Sequence, residues 1–135
     1  FLAIDQLHND GSIKSRNGMC LEAAQRDKGG GTVRLWTCLK GMHNQEWSYE
    51  PFTGRVRILS GICLDAPRGD VQEGAVIMWH CDTGLQNQSW SYDDATGFIS
   101  NHFGLCMAAV DESVRGSSVV LRNCTGAGTR WSLTV

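Results

Sequence analysis

The chain has 135 residues, which is long enough for one domain with a sizeable hydrophobic core. Its 14 acidic and 12 basic side chains leave a net charge of -2, so nothing in the charge balance indicates nucleic acid or an anionic membrane as a partner. No apolar run approaches the roughly 20 residues of a membrane span. The 16 glycines favour a turn-rich all-β fold over a helical one.

One short motif occurs three times along the chain. It reads Gly-Met-Cys-Leu-Glu-Ala at residues 18–23, and related versions follow at residues 61–66 and 104–109, each 43 residues further on. A fixed period of this size is typical of a fold built from copied supersecondary units. We therefore predict one domain over residues 1–135 that contains an N-terminal extension and three copies of the unit: residues 1–10, then 11–53, 54–96 and 97–135.

Each copy reads as four short strands separated by Gly- and Asn-rich turns. In the first copy the strands are predicted near residues 12–16, 20–24, 33–38 and 46–50. Three copies give about twelve strands. This number and the threefold period together predict a closed, threefold-symmetric β structure rather than an open sheet.

Each copy carries two cysteines 18 residues apart, which predicts disulfides and therefore a secreted protein or one in the lumen of the secretory pathway. The threefold repeat leaves two symmetric pairings, one within each copy and one joining each copy to the next. We favour the first, since every copy then has its own cross-link: Cys20–Cys38, Cys63–Cys81 and Cys106–Cys124. The chain has no C-x-x-C pair and its four histidines show no ligand spacing, so no metal or other cofactor is predicted.

Alternation along the third strand of each copy separates a core face from an outer face. Val33 and Leu35 are apolar, as are their counterparts in the other copies, so their face is predicted to be core. Trp36 then lies on the outer face, as does Trp79 in the second copy. Alternation along the second strand places Glu22 on the same outer face.

A second set of tryptophans closes the copies: Trp47, Trp90 and Trp131. A residue needed for packing must occur in every unit, whereas a residue needed for binding can be lost from some of them. Because all three copies keep this set, we predict that it packs in the core.

Three motifs in phase resemble those of the ricin-type (R-type) β-trefoil lectins. They are Cys-Leu-Asp/Glu in the second strand, an aromatic residue about 14 positions later, and Asn-Gln-x-Trp at the end of the unit; together they span about residues 11–135. The resemblance implies a twelve-stranded β-trefoil with up to three carbohydrate sites, one per copy, and no catalysis by the domain. It also implies glycans as partners, recognised without a metal through terminal galactose or N-acetylgalactosamine.

The second copy matches the family's sugar site best. By resemblance, Asp65 is the acid that accepts hydrogen bonds from two adjacent sugar hydroxyls, and Trp79 is the aromatic residue that stacks on the pyranose. Asn87 corresponds to the residue that bonds a ring hydroxyl, Gln88 helps to hold that loop, and Ile77 occupies a variable flanking position. The chemistry suits a sugar, which offers hydroxyl groups for polar partners and one apolar face for a flat ring.

The first copy keeps Trp36, Asn44 and Gln45 but has Glu22 where the family usually has Asp, with Arg34 nearby on the same face. Two interpretations stay open. Either this copy binds sugar with an altered preference, or the longer acid pairs with Arg34 and the site is lost.

The third copy lacks the site residues. Ala108 replaces the acid, Arg122 replaces the aromatic residue, and the loop before Trp131 is shorter and has no Asn-Gln pair. We predict that this copy binds no sugar. Arg122 could contact an acidic partner, but we favour the interpretation that it is a solvated strand residue.

Two other functions stay open. The start at Phe1 rather than Met and the extension over residues 1–10 fit a lectin domain excised from a larger glycan-processing enzyme, such as a polypeptide N-acetylgalactosaminyltransferase. A trefoil used for protein–protein contact is the second alternative, but it does not explain why an outer Trp and an acid recur together. A lone shallow site binds weakly, so linkage of sites within an oligomer or a larger parent chain is expected.

Overall fold

The protein is described by a computed structural model that covers residues 11–82 and 86–133. The predicted all-β fold of about twelve strands is confirmed, while the extension predicted over residues 1–10 lies outside the described residues. Two 3-10 helices, His43–Gln45 and Gln86–Gln88, precede the last strands of the first and second copies. The strands are β1 (Ile13–Ser15), β2 (Cys20–Ala23), β3 (Val33–Trp36), β4 (Trp47–Glu50), β5 (Arg55–Ile58), β6 (Ile62–Asp65), β7 (Ile77–His80), β8 (Trp90–Asp93), β9 (Phe98–Asn101), β10 (Cys106–Ala109), β11 (Val119–Arg122) and β12 (Trp131–Leu133).

The strands pair antiparallel in three four-stranded sheets, ordered β12-β1-β2-β3, β4-β5-β6-β7 and β8-β9-β10-β11. Each sheet adds the last strand of one copy to the first three strands of the next. The pairing of β12 with β1, in which Ile13 lies opposite Leu133, completes the ring of three copies. The three copies therefore form a closed ring in which neighbours share sheets, rather than a linear array.

Single β-bridges also join the copies. They run from Thr32 to Ile77, from Ala75 to Val120 and from Ser118 to Arg34. In each bridge the segment before the third strand of one copy meets the third strand of the next. Since the third strand carries the outer aromatic position, each copy places a loop beside that position of its neighbour.

The core lies where the inner faces of the three copies meet, and the alternation read from the sequence is confirmed there. Val33 and Leu35 are 3% and 0% exposed. The closing tryptophans are buried as predicted, and each indole N–H donates to a carbonyl of the second strand of its own copy. These bonds join Trp47 to Leu21, Trp90 to Leu64 and Trp131 to Met107.

A glycine at the start of each copy makes room for the closing tryptophan. Gly54 has a φ of +77°, and its carbonyl accepts the backbone N–H of Trp90 at 2.8 Å. A Cβ atom at Gly54 would lie 2.7 Å from that same nitrogen, so no side chain fits there. Gly11 and Gly97 make the corresponding bonds to Trp47 and Trp131.

The three disulfides lie within the copies, which confirms the favoured pairing: Cys20–Cys38, Cys63–Cys81 and Cys106–Cys124. Each joins the start of a second strand to the residues just after a third strand. On the chain-entropy model each loop of this length contributes about 3 kcal/mol to the free energy of unfolding.

Candidate functional site

The second copy brings its predicted site residues to one outer surface. Asp65 ends β6 directly opposite Ile77, and Trp79 follows two residues further along β7. Residues two apart on a strand share a face, and diagonal neighbours on paired strands lie within reach of a large side chain. Asn87 and Gln88 come from the short helix before β8 and complete the group.

Gln88 holds the carboxylate of Asp65 in place. Its Nε2 donates to Asp65 Oδ2 at 2.9 Å and to the carbonyl oxygen of His80 at 2.7 Å, while its Oε1 accepts the backbone N–H of Asp82 at 2.9 Å. Within the described part of the chain, Gln88 is the only hydrogen-bond partner of that carboxylate. The other oxygen, Oδ1, accepts no hydrogen bond from the residues that the structure describes.

The surroundings of Asp65 also change its acidity. The side chain is buried, with only 5% of the residue exposed, and this burial raises the pKa of its carboxyl above the ordinary value. The hydrogen bond from Gln88 favours the charged form and opposes the rise. Hydrogen bonds to an ionised, partly desolvated carboxylate are stronger than those between neutral groups.

Trp79 offers an open ring on the same surface. The residue is 44% exposed, and among residues 11–82 and 86–133 no cationic group lies over its ring. His80 contacts it edge-on, with 5.7 Å between ring centroids. Gly29 and Gly30 of the first copy pass beside the ring, since Cβ atoms built on them would lie 3.7 and 3.5 Å from it.

Asn87 lies next to Gln88, and its side-chain amide makes one long hydrogen bond to the described residues. Its Nδ2 donates to the carbonyl of Pro67 at 3.5 Å, the outer limit of a hydrogen bond, while its own carbonyl accepts the N–H of Ala66 at 2.9 Å. The backbone of Asn87 is thus fixed and its amide is free to exchange partners.

In the first copy an arginine of the chain occupies the acid. Arg34 lies directly opposite Glu22 across β2 and β3, and its Nε and Nη2 both lie 2.7 Å from Glu22 Oε1. Gln45 donates to the other oxygen, Oε2, at 3.0 Å. Both carboxylate oxygens are engaged, and Glu22 is 2% exposed. Glu22 was predicted on the outer face; it points away from the core, but Arg34 and Gln45 bury it.

Two guanidinium groups cover the aromatic residue of the first copy. The Cζ of Arg34 lies 4.0 Å from the ring centre of Trp36, and the Cζ of Arg115, from the third copy, lies 5.0 Å from it. Cations over an indole ring are attracted by its electron-rich face. Trp36 is consequently half-buried, where its counterpart Trp79 is open.

The amides of the first copy are also turned inward. The Nδ2 of Asn44 donates to the carbonyl of Ala23 at 3.1 Å, and Asn44 is buried. Gln45 makes the same set of bonds as Gln88: beside Glu22 it contacts the carbonyl of Thr37, and it accepts the N–H of Leu39. The scaffold of a site is therefore present, but the chain itself fills it.

In the third copy Ala108 is fully buried and Arg122 is paired. Arg122 Nε donates to Glu73 Oε2 of the second copy at 2.8 Å, and its Nη1 contacts the carbonyl of Ala127 at 3.3 Å. The expectation that Arg122 is a solvated strand residue is therefore wrong. The acid comes from a neighbouring copy, which inspection of the third copy alone does not reveal.

The loop of one copy forms a wall beside the aromatic position of the next. The wall residues Gly30, Glu73 and Gly116 all have positive φ, and their N–H groups donate to Met78, Leu121 and Leu35. Gly30 faces Trp79, Glu73 pairs with Arg122, and Gly116 faces Trp36. Sequence reasoning missed this contribution, although the 43-residue alignment already set Gly-Gly at 29–30 against Gln-Glu at 72–73 and Arg-Gly at 115–116.

Among the described residues, no helix has the length and apolar character needed to cross a membrane. In the same part of the chain, no three His, Cys, Asp or Glu side chains are grouped to hold a metal ion. Three interlocked four-stranded copies, two of which carry an acid and an aromatic residue on the outer side of the sheet, define a β-trefoil protein of the lectin class. The profile of the ricin-type beta-trefoil lectin domain matches residues 9–131, and the chain belongs to this family of carbohydrate-binding folds.

No curated protein sequence matches the chain, but many solved structures share its fold. A non-toxic homologue of type II RIPs from Momordica charantia (bitter gourd), in complex with α-methyl-D-galactoside, is 21% identical with a TM-score of 0.78, and the match covers 96% of this chain and 49% of that one. The earthworm R-type lectin C-half in complex with GalNAc is 18% identical with a TM-score of 0.74, covering 90% and 95%. The Vibrio vulnificus hemolysin/cytolysin β-trefoil lectin with N-acetyl-D-lactosamine bound is 19% identical with a TM-score of 0.71, covering 92% of each chain.

Proposed function

We propose that the chain binds the terminal galactose or N-acetylgalactosamine of glycans, without catalysis, through one site formed by Asp65, Trp79 and Asn87. The observation that carries this proposal is that arginine side chains occupy the equivalent positions of the first and third copies but not those of the second. Trp79 is open and Asp65 keeps a free oxygen within the described residues, whereas Arg34 and Arg122 fill the matching positions elsewhere.

The role of Asp65 follows from the chemistry of a sugar. Adjacent ring hydroxyls are O–H donors, and an ionised carboxylate only accepts, so one carboxylate suits two neighbouring hydroxyls. Because the side chain is buried and fixed by Gln88, it needs little rearrangement on binding. Asn87 adds an amide that can both donate and accept beside it.

Trp79 supplies the flat surface for the apolar C–H face of the pyranose. The wall of Gly29 and Gly30 beside the ring carries no side chains, so the face stays accessible to a ligand. Arg115 of the third copy is the counterpart of Gly29, and its guanidinium lies over the ring of Trp36 in the first copy.

The choice of sugar rests on relatives in fold. The bitter gourd protein was solved with a galactoside, the earthworm lectin with GalNAc and the Vibrio lectin with N-acetyl-D-lactosamine. These proteins are about one-fifth identical to this chain, and they support the class of ligand rather than one particular glycan.

One shallow site of this kind typically gives a dissociation constant in the millimolar range, or about -4 kcal/mol. Higher avidity then requires several sites, supplied by an oligomer or a longer parent chain. The three disulfides favour an extracellular or secretory-lumen location for such a lectin.

The five tryptophans provide a direct test. Each indole N–H gives its own signal in a nitrogen-15 NMR spectrum, and titration with α-methyl-D-galactoside or N-acetylgalactosamine is expected to move the signal of Trp79. The signals of Trp47, Trp90 and Trp131 should stay in place, because their N–H groups are buried in the core.

Trp36 is the matched control in this experiment, since its position is equivalent and its ring is covered. Movement of the Trp36 signal together with that of Trp79 would show that the first copy also binds. No movement of any indole signal with either sugar at high concentration would refute the proposed function.

A further inference from the structure

The junction between the second and third copies differs from the other two junctions. Phe103, in the turn between β9 and β10, is 50% exposed and lies against the loop that follows Asp65. A Cβ atom built on Gly69 of this loop would lie 3.1 Å from two ring atoms of Phe103 and 3.4 Å from Asn87 Oδ1. The phenyl ring and the Asn87 amide therefore flank the same backbone position.

This placement is built into the fold. Asn101 Nδ2 donates to the carbonyl of Gly69 at 2.7 Å, and Asn101 Oδ1 accepts the N–H groups of Phe103 and Leu105 at 3.0 Å each. Asn101 is buried. One fixed side chain thus joins the turn that carries Phe103 to the loop that carries Gly69.

At the other two junctions the position equivalent to Phe103 carries no aromatic residue. Ser60 takes the position of Phe103 at the junction of the first and second copies, and there it lines an open cleft of about 470 Å³ with Arg26 and Asn44. At the junction of the third and first copies, Asn17 takes this position and donates to the carbonyl of Glu112 at 3.0 Å. Of the three equivalent positions, the one with an aromatic ring adjoins the copy whose Trp79 is exposed.

We propose that Phe103 forms a second subsite, which takes the sugar residue next to the terminal one in a galactose-ended glycan. This inference rests on the proposed function, because the terminal residue must first sit on Trp79 and Asp65. Asn87 links the two subsites, since its Nδ2 reaches the carbonyl of Pro67, two residues after Asp65, and its Oδ1 lies beside the Gly69–Phe103 contact.

The chemistry of the subsite is apolar and weakly directional. A phenyl ring has no hydrogen-bonding group, so it accepts the C–H face of a pyranose and tolerates several hydroxyl patterns. His102 contacts the ring edge-on, with 5.3 Å between centroids, and supports its orientation. The protein thus recognises a disaccharide end rather than a single sugar.

The test compares affinities for one sugar and for two. Binding of methyl galactoside and of four galactosyl disaccharides that differ in linkage is measured by calorimetry or NMR titration. We expect at least one disaccharide to bind about threefold to tenfold more tightly than methyl galactoside, the gain that one added aromatic contact supplies.

The variant Phe103→Ser, which copies the residue at Ser60, is expected to remove this gain and to leave methyl galactoside binding unchanged. Phe52→Ser is the matched control, because Phe52 is also an exposed phenylalanine and lies in the turn between β4 and β5. It should keep the preference for the disaccharide. Since Phe103 is exposed and Asn101 holds the turn, the variant is expected to unfold at the same temperature as the parent.

The outcomes separate the two proposals. If all disaccharides bind within about twofold of methyl galactoside, or if the gain survives in Phe103→Ser, the second subsite is refuted while the Trp79 site stands. An equal loss for both ligand types in Phe103→Ser places Phe103 in the terminal site and also refutes the subsite. If no galactoside binds to the parent chain, the proposed function fails and the subsite fails with it.

Discussion

An arginine lies opposite the acid of the first copy, and an isoleucine lies opposite the acid of the second. Arg34 reaches across one strand pair, neutralises Glu22 and stacks on Trp36. Ile77 has no polar group, so it neither pairs with Asp65 nor covers the ring of Trp79, which is exposed. The two copies otherwise share strands, disulfide, closing tryptophan and Asn-Gln pair. One cross-strand residue thus changes how the acid and the ring are covered, although the two copies share nearly every other residue of the site.

The filling is effective because the arginine is tethered. A group held on the same chain has a high effective concentration at its contact, so a weakly binding ligand must displace it before it reaches the carboxylate and the ring. The guanidinium satisfies both surfaces that a sugar would use, the carboxylate and the flat ring. Each prediction below alters one member of this comparison.

The largest effect is expected from the two acids. Asp65→Ala should lower the affinity for methyl galactoside by about 100-fold or more, because each hydrogen bond to a charged acceptor contributes about 1.5–3 kcal/mol. Glu22→Ala should leave the affinity unchanged. Both are measured by calorimetry, with thermal unfolding to confirm the fold. A similar loss in both variants would mean that the first copy binds sugar too.

Ile77→Arg should give the second copy the cross-strand arginine that pairs with the acid in the first copy. The new guanidinium would lie opposite Asp65 and above the neighbouring indole, so we expect a loss of affinity of about 30-fold for a tethered competitor. Ile77→Val, which copies Val120 of the third copy, is the control and should bind normally. Retained binding in the arginine variant would show that cross-strand pairing is not what closes the first copy.

The two outer tryptophans should differ by about tenfold. Trp79→Ala removes the stacking surface and is expected to weaken binding by about that factor, the sum of lost contact area and aromatic geometry. Trp36→Ala should not alter binding, because its ring contacts Arg34 and Arg115 instead of a ligand. Titration with methyl galactoside measures both, and equal losses would contradict the comparison.

Acid should weaken binding earlier than an ordinary aspartate would. Burial raises the pKa of Asp65, so its carboxylate takes up a proton at a higher pH than usual as the solution is acidified. The charged form is the better acceptor, so we expect the affinity to fall by about threefold to fivefold as the pH drops through this raised pKa. His80 adjoins Trp79, and a His80→Gln variant that keeps the same pH profile would assign the effect to Asp65.

The smallest expected effect is a twofold one, an increase from one to two galactoside sites per chain. The triple variant Glu22→Asp, Arg34→Ile and Arg115→Gly gives the first copy the residues of the second, and calorimetry is expected to find two galactoside sites per chain instead of one. Arg115→Gly alone should leave one site, because Arg34 still fills the pocket. A triple variant that folds and keeps one site would show that more than these residues closes the first copy.

The sequence was sufficient for the fold because the fold repeats. The 43-residue period predicts the strand number and the packed tryptophans and reduces the cysteine pairings to two, of which the favoured one within each copy is confirmed. It also placed Glu22 and Arg34 on one face and left two outcomes open. The structure shows that Glu22 pairs with Arg34, which lies directly opposite it, while the sugar binding of the first copy stays a prediction.

Contacts between copies could not be predicted in the same way. Arg122 reads as solvated within its own copy, and only the ring closure brings Glu73 to it. Arg115 reaches Trp36, and Phe103 reaches Gly69, through the same kind of contact. A repeat pattern in the sequence shows which residues each copy contains, but it does not show which residues of a neighbouring copy they contact. The sugar-binding roles of the site residues in the first two copies stay predictions.

The wall beside Trp79 belongs to the first copy, although that copy has filled its own pocket. Gly30 has its N–H bound to the carbonyl of Met78 and its α-carbon turned toward the indole, where a branched side chain would intrude. If the proposed function holds, selection on glycan recognition acts on the first copy as well, because that copy supplies the wall beside Trp79. Divergence among the repeats of such a protein is then limited by the contacts that each repeat provides to its neighbour.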